Sequence, residues 1–122
     1  MLWKFSQDIP IYIQIIAQME SDIASGMLSP GEKLSSVREL AAQANVYPNT
    51  MQKAFTELER KGLVFSQRTS GRFVTNDPER LSSLKTELAE REITNYLSRM
   101  GRLGFSAEDA LHQLSELVKK KE

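Results

Sequence analysis

The chain has 122 residues, no cysteine, and 16 basic against 16 acidic side chains, so its net charge is zero. That length allows one domain with an appendage, or two very small units, and one modest core. The composition excludes disulfides and thiolate zinc sites, no apolar run approaches the roughly 20 residues of a membrane span, and zero net charge offers no global argument for a nucleic-acid partner.

The N-terminal stretch carries one lysine before Asp8 and no small-residue cleavage site, so it is not read as a signal peptide. Pro10 announces a first helix, with Asp8 as its expected cap. Tyr12, Ile15, Ile16, Met19 and Ile23 recur at helical spacing, and Gly26 stops the run. Ser29-Pro30-Gly31 is a turn signal. Ser36-Val37-Arg38-Glu39 then reads as a capping box opening a short second helix that buries Val37, Leu40, Ala41 and Ala44. Pro48 biases Tyr47 away from helical angles, so this helix ends near Asn45 and a third begins at Pro48. The third helix faces inward with Met51, Ala54, Phe55 and Leu58, and Gly62 closes it. Residues 63–67 and 72–75 read as short strands joined by Arg68-Thr69-Ser70-Gly71.

Asn76-Asp77-Pro78 breaks the chain and starts a long helix to about Met100, with Leu81, Leu84, Leu88, Tyr96, Leu97 and Met100 apolar. Gly101 and Gly104 mark a connection, and Ser106 with Asp109 caps a last helix striped by Ala110, Leu111, Leu114, Leu117 and Val118. The fold class is therefore mainly α with a small β-ribbon: a winged helix-turn-helix over residues 1–76, then a two-helix segment over 77–122.

The tight connection from Asn45 to Pro48 fits a helix-turn-helix. In that motif the second helix enters the major groove with its N-terminal residues at base edges. Here these are Tyr47, Pro48, Asn49, Thr50, Gln52 and Lys53. Asn and Gln suit adenine, Lys suits guanine, and hydroxyls suit phosphate or base. Taken alone, Pro48-Asn49-Thr50 is equally good helix-start chemistry. Local charge also differs from the global balance: Lys33, Arg38, Lys53, Arg60, Lys61, Arg68 and Arg72 against Glu39, Glu57 and Glu59 give residues 33–72 a charge of +4.

The ordered series Pro10-Ile11-Tyr12, Gln14-Ile15, Pro30-Gly31, Lys33-Leu34, Ser36-Val37-Arg38-Glu39-Leu40-Ala41, Pro48-Asn49-Thr50, Glu57-Leu58-Glu59, Gly62-Leu63-Val64, Gly71 and Phe73-Val74 resembles the GntR family of regulators. With two further helices and no larger sensor domain, the chain resembles that family's short YtrA-type branch. The resemblance implies that Arg38 reaches a guanine, that Thr50 and its neighbours clamp phosphates and base edges, that Gln52 and Lys53 add contacts, and that Arg68 enters the minor groove. It extends the candidate DNA-binding set to Ser36, Thr69 and Gly71. Three positions depart from the pattern: Ser35 replaces a usual proline, Tyr47 an asparagine frequent in the branch, and Thr69 a glycine of the wing.

Two helices cannot bury a leucine-rich stripe by themselves. Packing back onto the winged helix of the same chain is one way to cover it; the favoured one is a second copy, with two-fold symmetry that suits a pseudo-palindromic operator. Leu81, Leu84, Leu88, Tyr96, Leu97, Leu111, Leu114 and Leu117 are the expected dimer contacts. The expected function is a cytoplasmic DNA-binding regulator, acting as a homodimer to repress a nearby operon, of transporter type in this branch. A winged-helix protein-interaction module without DNA binding is the alternative. No nucleophile–base pair, phosphate loop, metal spacing or cofactor motif is present, so neither an enzyme nor a metal or cofactor site is expected, and any small-molecule effector is unnamed by the sequence.

Overall fold

The structure is a computed structural model that describes residues 3–121. The chain divides into two compact units, Met1–Lys85 and Thr86–Glu122. The boundary falls inside one helix, Pro78–Arg102.

The first unit begins with helix α1 (Ile11–Ser25), which Gly26 ends in the left-handed conformation at φ 84°. Pro10, not Asp8, stands at its cap, and no side chain caps it. The entry is instead held from inside the helix. The Gln14 amide donates to the carbonyls of Ile9 (2.7 Å) and Ser6 (2.9 Å), and its oxygen accepts from the Ser6 N–H (2.8 Å). A flexible side chain one turn in thus does the work expected of the short aspartate before the proline.

Helix α2 (Val37–Ala44) carries the full capping box: the Glu39 N–H donates to Ser36 Oγ, and the Glu39 carboxylate accepts from the Ser36 N–H. Asn45 ends it with a positive φ of 57°, a conformation asparagine tolerates better than most side chains. Three residues on, Pro48 starts helix α3 (Pro48–Arg60). Its apolar positions Met51, Ala54, Phe55 and Leu58 are all buried, and it is the hub of the unit, packing against α1, α2 and the first strand. Ile15, Met19, Leu40, Leu63 and Val74 complete this core. Each such large side chain contributes about 1.5–3 kcal/mol on burial.

Strands β1 (Val64–Gln67) and β2 (Gly71–Val74) pair antiparallel, with Val64 opposite Val74 and Gln67 opposite Gly71. The expected first strand, 63–67, began one residue early and the expected second, 72–75, lay one residue late, because Leu63 and Thr75 lie just outside the ladder and Gly71 lies within it. The ribbon also has a third neighbour. Gly31 donates to Val74 O, Val74 to Glu32 O, and Leu34 to Arg72 O, and Lys33 bridges Phe73. The segment read only as a turn followed by unassigned chain therefore pairs along the outer side of β2.

Two acids inside the unit had no place in the hydrophobic pattern. Glu20 is 3 % exposed by side chain and pairs with Lys61 Nζ at 3.0 Å. Asp22 is buried and accepts from the Gln18 amide at 3.1 Å.

Helix α4 (Pro78–Arg102) starts on Asp77, whose carboxylate accepts from the Glu79 N–H at 3.0 Å. Within the first unit, Arg80 Nε donates to the Lys61 carbonyl at the end of α3, 2.8 Å away. Leu84 is fully buried in the single chain. The expectation that Leu84 meets a partner subunit is therefore corrected: it has no free surface to offer.

In the second unit α4 runs two residues past Met100, and Gly101 lies within it. Only Gly104 (φ 96°) breaks the chain, with the Phe105 N–H closing back on Met100 O. Helix α5 (Ala107–Lys121) follows, its entry fixed by reciprocal bonds between Ser106 and Asp109. Tyr96 OH donates to Ala110 O at 2.8 Å and ties α4 to α5.

Candidate nucleic-acid interface

The start of α3 is open. Tyr47 at the cap is 81 % exposed, and Pro48, Asn49, Gln52 and Lys53 are exposed, with Thr50 half-buried. No side chain makes a capping hydrogen bond there. This bears on the plain alternative for Pro48-Asn49-Thr50: the Asn49 and Thr50 side chains are not engaged in finishing the helix end. Two other side chains are engaged on the helix surface. Gln52 donates to Thr56 Oγ1 at 3.3 Å. Lys53 Nζ lies over the Tyr12 ring of α1, 3.9 Å from its centroid, a cation–π contact.

Ser36 and Arg38, at the start of α2, are exposed. So are Arg68 and Thr69 in the turn of the wing and Gly71 at the start of β2, at φ +106°. A cleft of about 320 Å³ joins the two elements, with Ser36 on one side and Gly71 on the other.

The charge of this region is organised. Arg60 pairs with Glu57, Lys61 with Glu20, and Arg72 with Glu59 at 2.6 Å. Glu59 also accepts from Ser66 Oγ at 2.8 Å. Burial pushes the Glu59 carboxyl up, but the hydrogen bonds from Arg72 and Ser66 outweigh it and hold the group below its ordinary 4.5. The Arg60 hydrogen bond likewise lowers Glu57. Glu39 is held in its capping box. The acids of the segment are thus occupied, by partners that brace the wing and helix ends. Among the described residues, four of its cations make no ion pair: Lys33, Arg38, Lys53 and Arg68. Three of them lie in the candidate set read from the sequence.

Lys33 and Tyr12 lie beside the candidate set but were not read as part of it. Lys33 entered as a charge and in the family-like series, and its place beside the wing depends on the third-strand pairing. Tyr12 was assigned to the core stripe, yet it is only half-buried and reaches the recognition helix. On the other side, the expected dimer contacts Leu97, Leu111, Leu114 and Leu117 are exposed in the single chain, and Leu81, Leu88 and Tyr96 are partly so.

Comparison with known proteins identifies the family. Residues 11–74 match the model of the family described as bacterial regulatory proteins, gntR family. The chain is 38 % identical to the HTH-type transcriptional repressor YtrA of Bacillus subtilis, over 90 % of this chain and 82 % of that protein. A GntR family transcriptional regulator from Listeria monocytogenes superposes with a TM-score of 0.84 at 34 % identity, over 92 % of this chain and 98 % of that one. The DNA-binding domain of AraR, solved in complex with operator ORE1, superposes at a TM-score of 0.53 and 28 % identity, over 62 % of this chain and 94 % of that one. The chain belongs to the GntR family and is a winged-helix DNA-binding transcription regulator.

Proposed function

We propose that the chain is a cytoplasmic repressor of a nearby operon that binds a pseudo-palindromic operator as a homodimer. Residues 1–76 form the reading head and residues 77–122 the dimerisation segment. In this reading Asn49, Thr50, Gln52 and Lys53 meet base edges and phosphates in the major groove. Tyr47 and Pro48 frame that helix start. Arg38 reads a guanine beside Ser36, and Arg68, with Thr69 and Gly71, enters the minor groove. Leu81, Leu88, Tyr96, Leu97, Leu111, Leu114 and Leu117 meet the second copy.

The observation that carries the proposal is the separation of roles among the cations. Arg60 and Lys61 at the end of α3 and Arg72 on β2 are paired, whereas Arg38, Lys53 and Arg68 of the candidate set are not. The operator complex of the related AraR domain supports a duplex-DNA partner, and the name of the related YtrA protein supports repression.

The test begins with an operator selected from random duplexes by the full chain. Arg38→Ala should then lose about 1–3 kcal/mol of binding to that operator while sparing most of the affinity for random duplex. Equal losses on both DNAs would remove Arg38 from base reading. Sedimentation of the free protein checks the dimer, and a monomer at micromolar concentration would overturn it.

A further inference from the structure

Resting on the DNA-binding reading above, we infer that Lys33 is a further DNA contact, gripping a backbone phosphate from the base of the wing. The segment holding Lys33 is no loose loop. Its neighbours Glu32 and Leu34 hydrogen-bond to Val74 and Arg72, and Lys33 itself bridges Phe73. Its backbone is therefore fixed as the third line of the ribbon. The lysine is exposed, and its ammonium pairs with no carboxylate among the described residues.

Its stem runs beside the start of β2: the place of a Cβ at Gly71 lies 3.4 Å from Lys33 Cε, so the lysine packs alongside that glycine. The glycine itself is called for by its φ of +106°, which strains any other residue. Lys33 lines the same cleft as Ser36 and Gly71, both in the candidate DNA-binding set. The two other charged groups of that cleft are already engaged: Arg72 with Glu59, and Glu39 with the Ser36 N–H. Lys33 is left as the one cation of the cleft free to take an external anion. A flexible ammonium on a rigid strand suits a phosphate, which demands charge and little geometry. Such a contact adds affinity without reading sequence.

The experiment compares the full chain, Lys33→Gln and Lys33→Arg on two duplexes, the selected operator and a random-sequence control, across a salt series. Each phosphate contact contributes about 0.9 to the slope of log K against log salt. Lys33→Gln should lose that unit on both duplexes, weakening binding roughly five- to tenfold at 0.1 M salt. Lys33→Arg should keep the slope, and both variants should melt with the parent. An unchanged slope in Lys33→Gln overturns the inference while leaving the DNA-binding reading intact. So does a loss confined to the operator, which would mean base reading. A parent chain that binds neither duplex overturns both.

Discussion

The two units use the same kind of amphipathic helix and end in opposite conditions. In Met1–Lys85 the stripes of α1, α2 and α3 are closed by one another and by the ribbon, and Phe55, Ile15, Met19, Met51 and Leu58 are fully buried. In Thr86–Glu122, among the described residues, Ala110 is the one buried side chain, and Leu111, Leu114, Leu117 and Val118 stand 45–64 % exposed. The difference lies in the number of neighbours, not in the quality of the stripe. A helix surrounded by two others and a ribbon has its face covered, whereas two helices alone leave much of theirs uncovered. The first unit is complete as a single chain, and the second is apolar where a complete unit would be dry.

The largest test of that contrast is to separate the units. The fragment Met1–Lys85 keeps Leu84 and the Arg80 bond to Lys61. It should fold, sediment as a monomer, and bind a two-half-site operator ~10²–10⁴-fold more weakly than the full chain, since tethering raises the effective concentration of the second head. Undiminished affinity in a monomeric fragment would break the division of labour.

A smaller effect separates the two kinds of leucine-rich face. Phe55→Ala should cost about 3–5 kcal/mol at any protein concentration, because it opens a cavity in a closed core. Leu114→Ala, at a 45 % exposed position, should change stability by less than about 0.5 kcal/mol in dilute protein. If the proposed dimer forms through this face, its cost should grow as concentration rises. Denaturant midpoints at two concentrations a hundredfold apart would show it. A Leu114→Ala cost independent of concentration would place that face inside the monomer.

The smallest effect concerns the anchor between α3 and the wing. The folded Glu59 carboxyl lies below its ordinary 4.5. Its contribution is therefore present above that value and is lost as pH falls through the lower folded value. Solvent screening keeps it under about 1 kcal/mol. The melting-point difference between the parent and Glu59→Gln should be constant above about pH 5.5 and shrink at more acid pH. A difference that widens toward acid would contradict the Arg72–Glu59 pair as its source.

Much of this was legible in the sequence, for local reasons. The capping box at Ser36, the proline start of α3 and the glycine stops are set by residues within one turn of one another. The inward face of α3 follows from spacing alone. What escaped depends on distance along the chain. Glu20 and Lys61 are 41 residues apart, and nothing near Glu20 signals that it is buried. The pairing of residues 31–34 with β2 needs a partner some 40 residues away, and the short segment shows no alternation of its own. Leu84 and Leu88 sit one turn apart on one stripe, and periodicity could not say that Leu84 alone is enclosed within the chain. In the candidate interface, the side chains on short elements were readable, but the sorting of paired from unpaired cations required the tertiary structure.

The contact between Lys53 and Tyr12 has a consequence for redesign. Recognition helices are attractive parts to exchange between regulators, on the premise that reading residues travel with the helix that bears them. Here the reach of Lys53 is set partly by an aromatic ring on α1, a contact of about 0.5–1 kcal/mol at an exposed site. A graft of residues 48–60 into a relative lacking an aromatic ring at the equivalent of position 12 would carry the lysine without its rest. In the proposed reading its specificity would then be blurred by extra rotamers, and the portable module would be the helix together with residue 12.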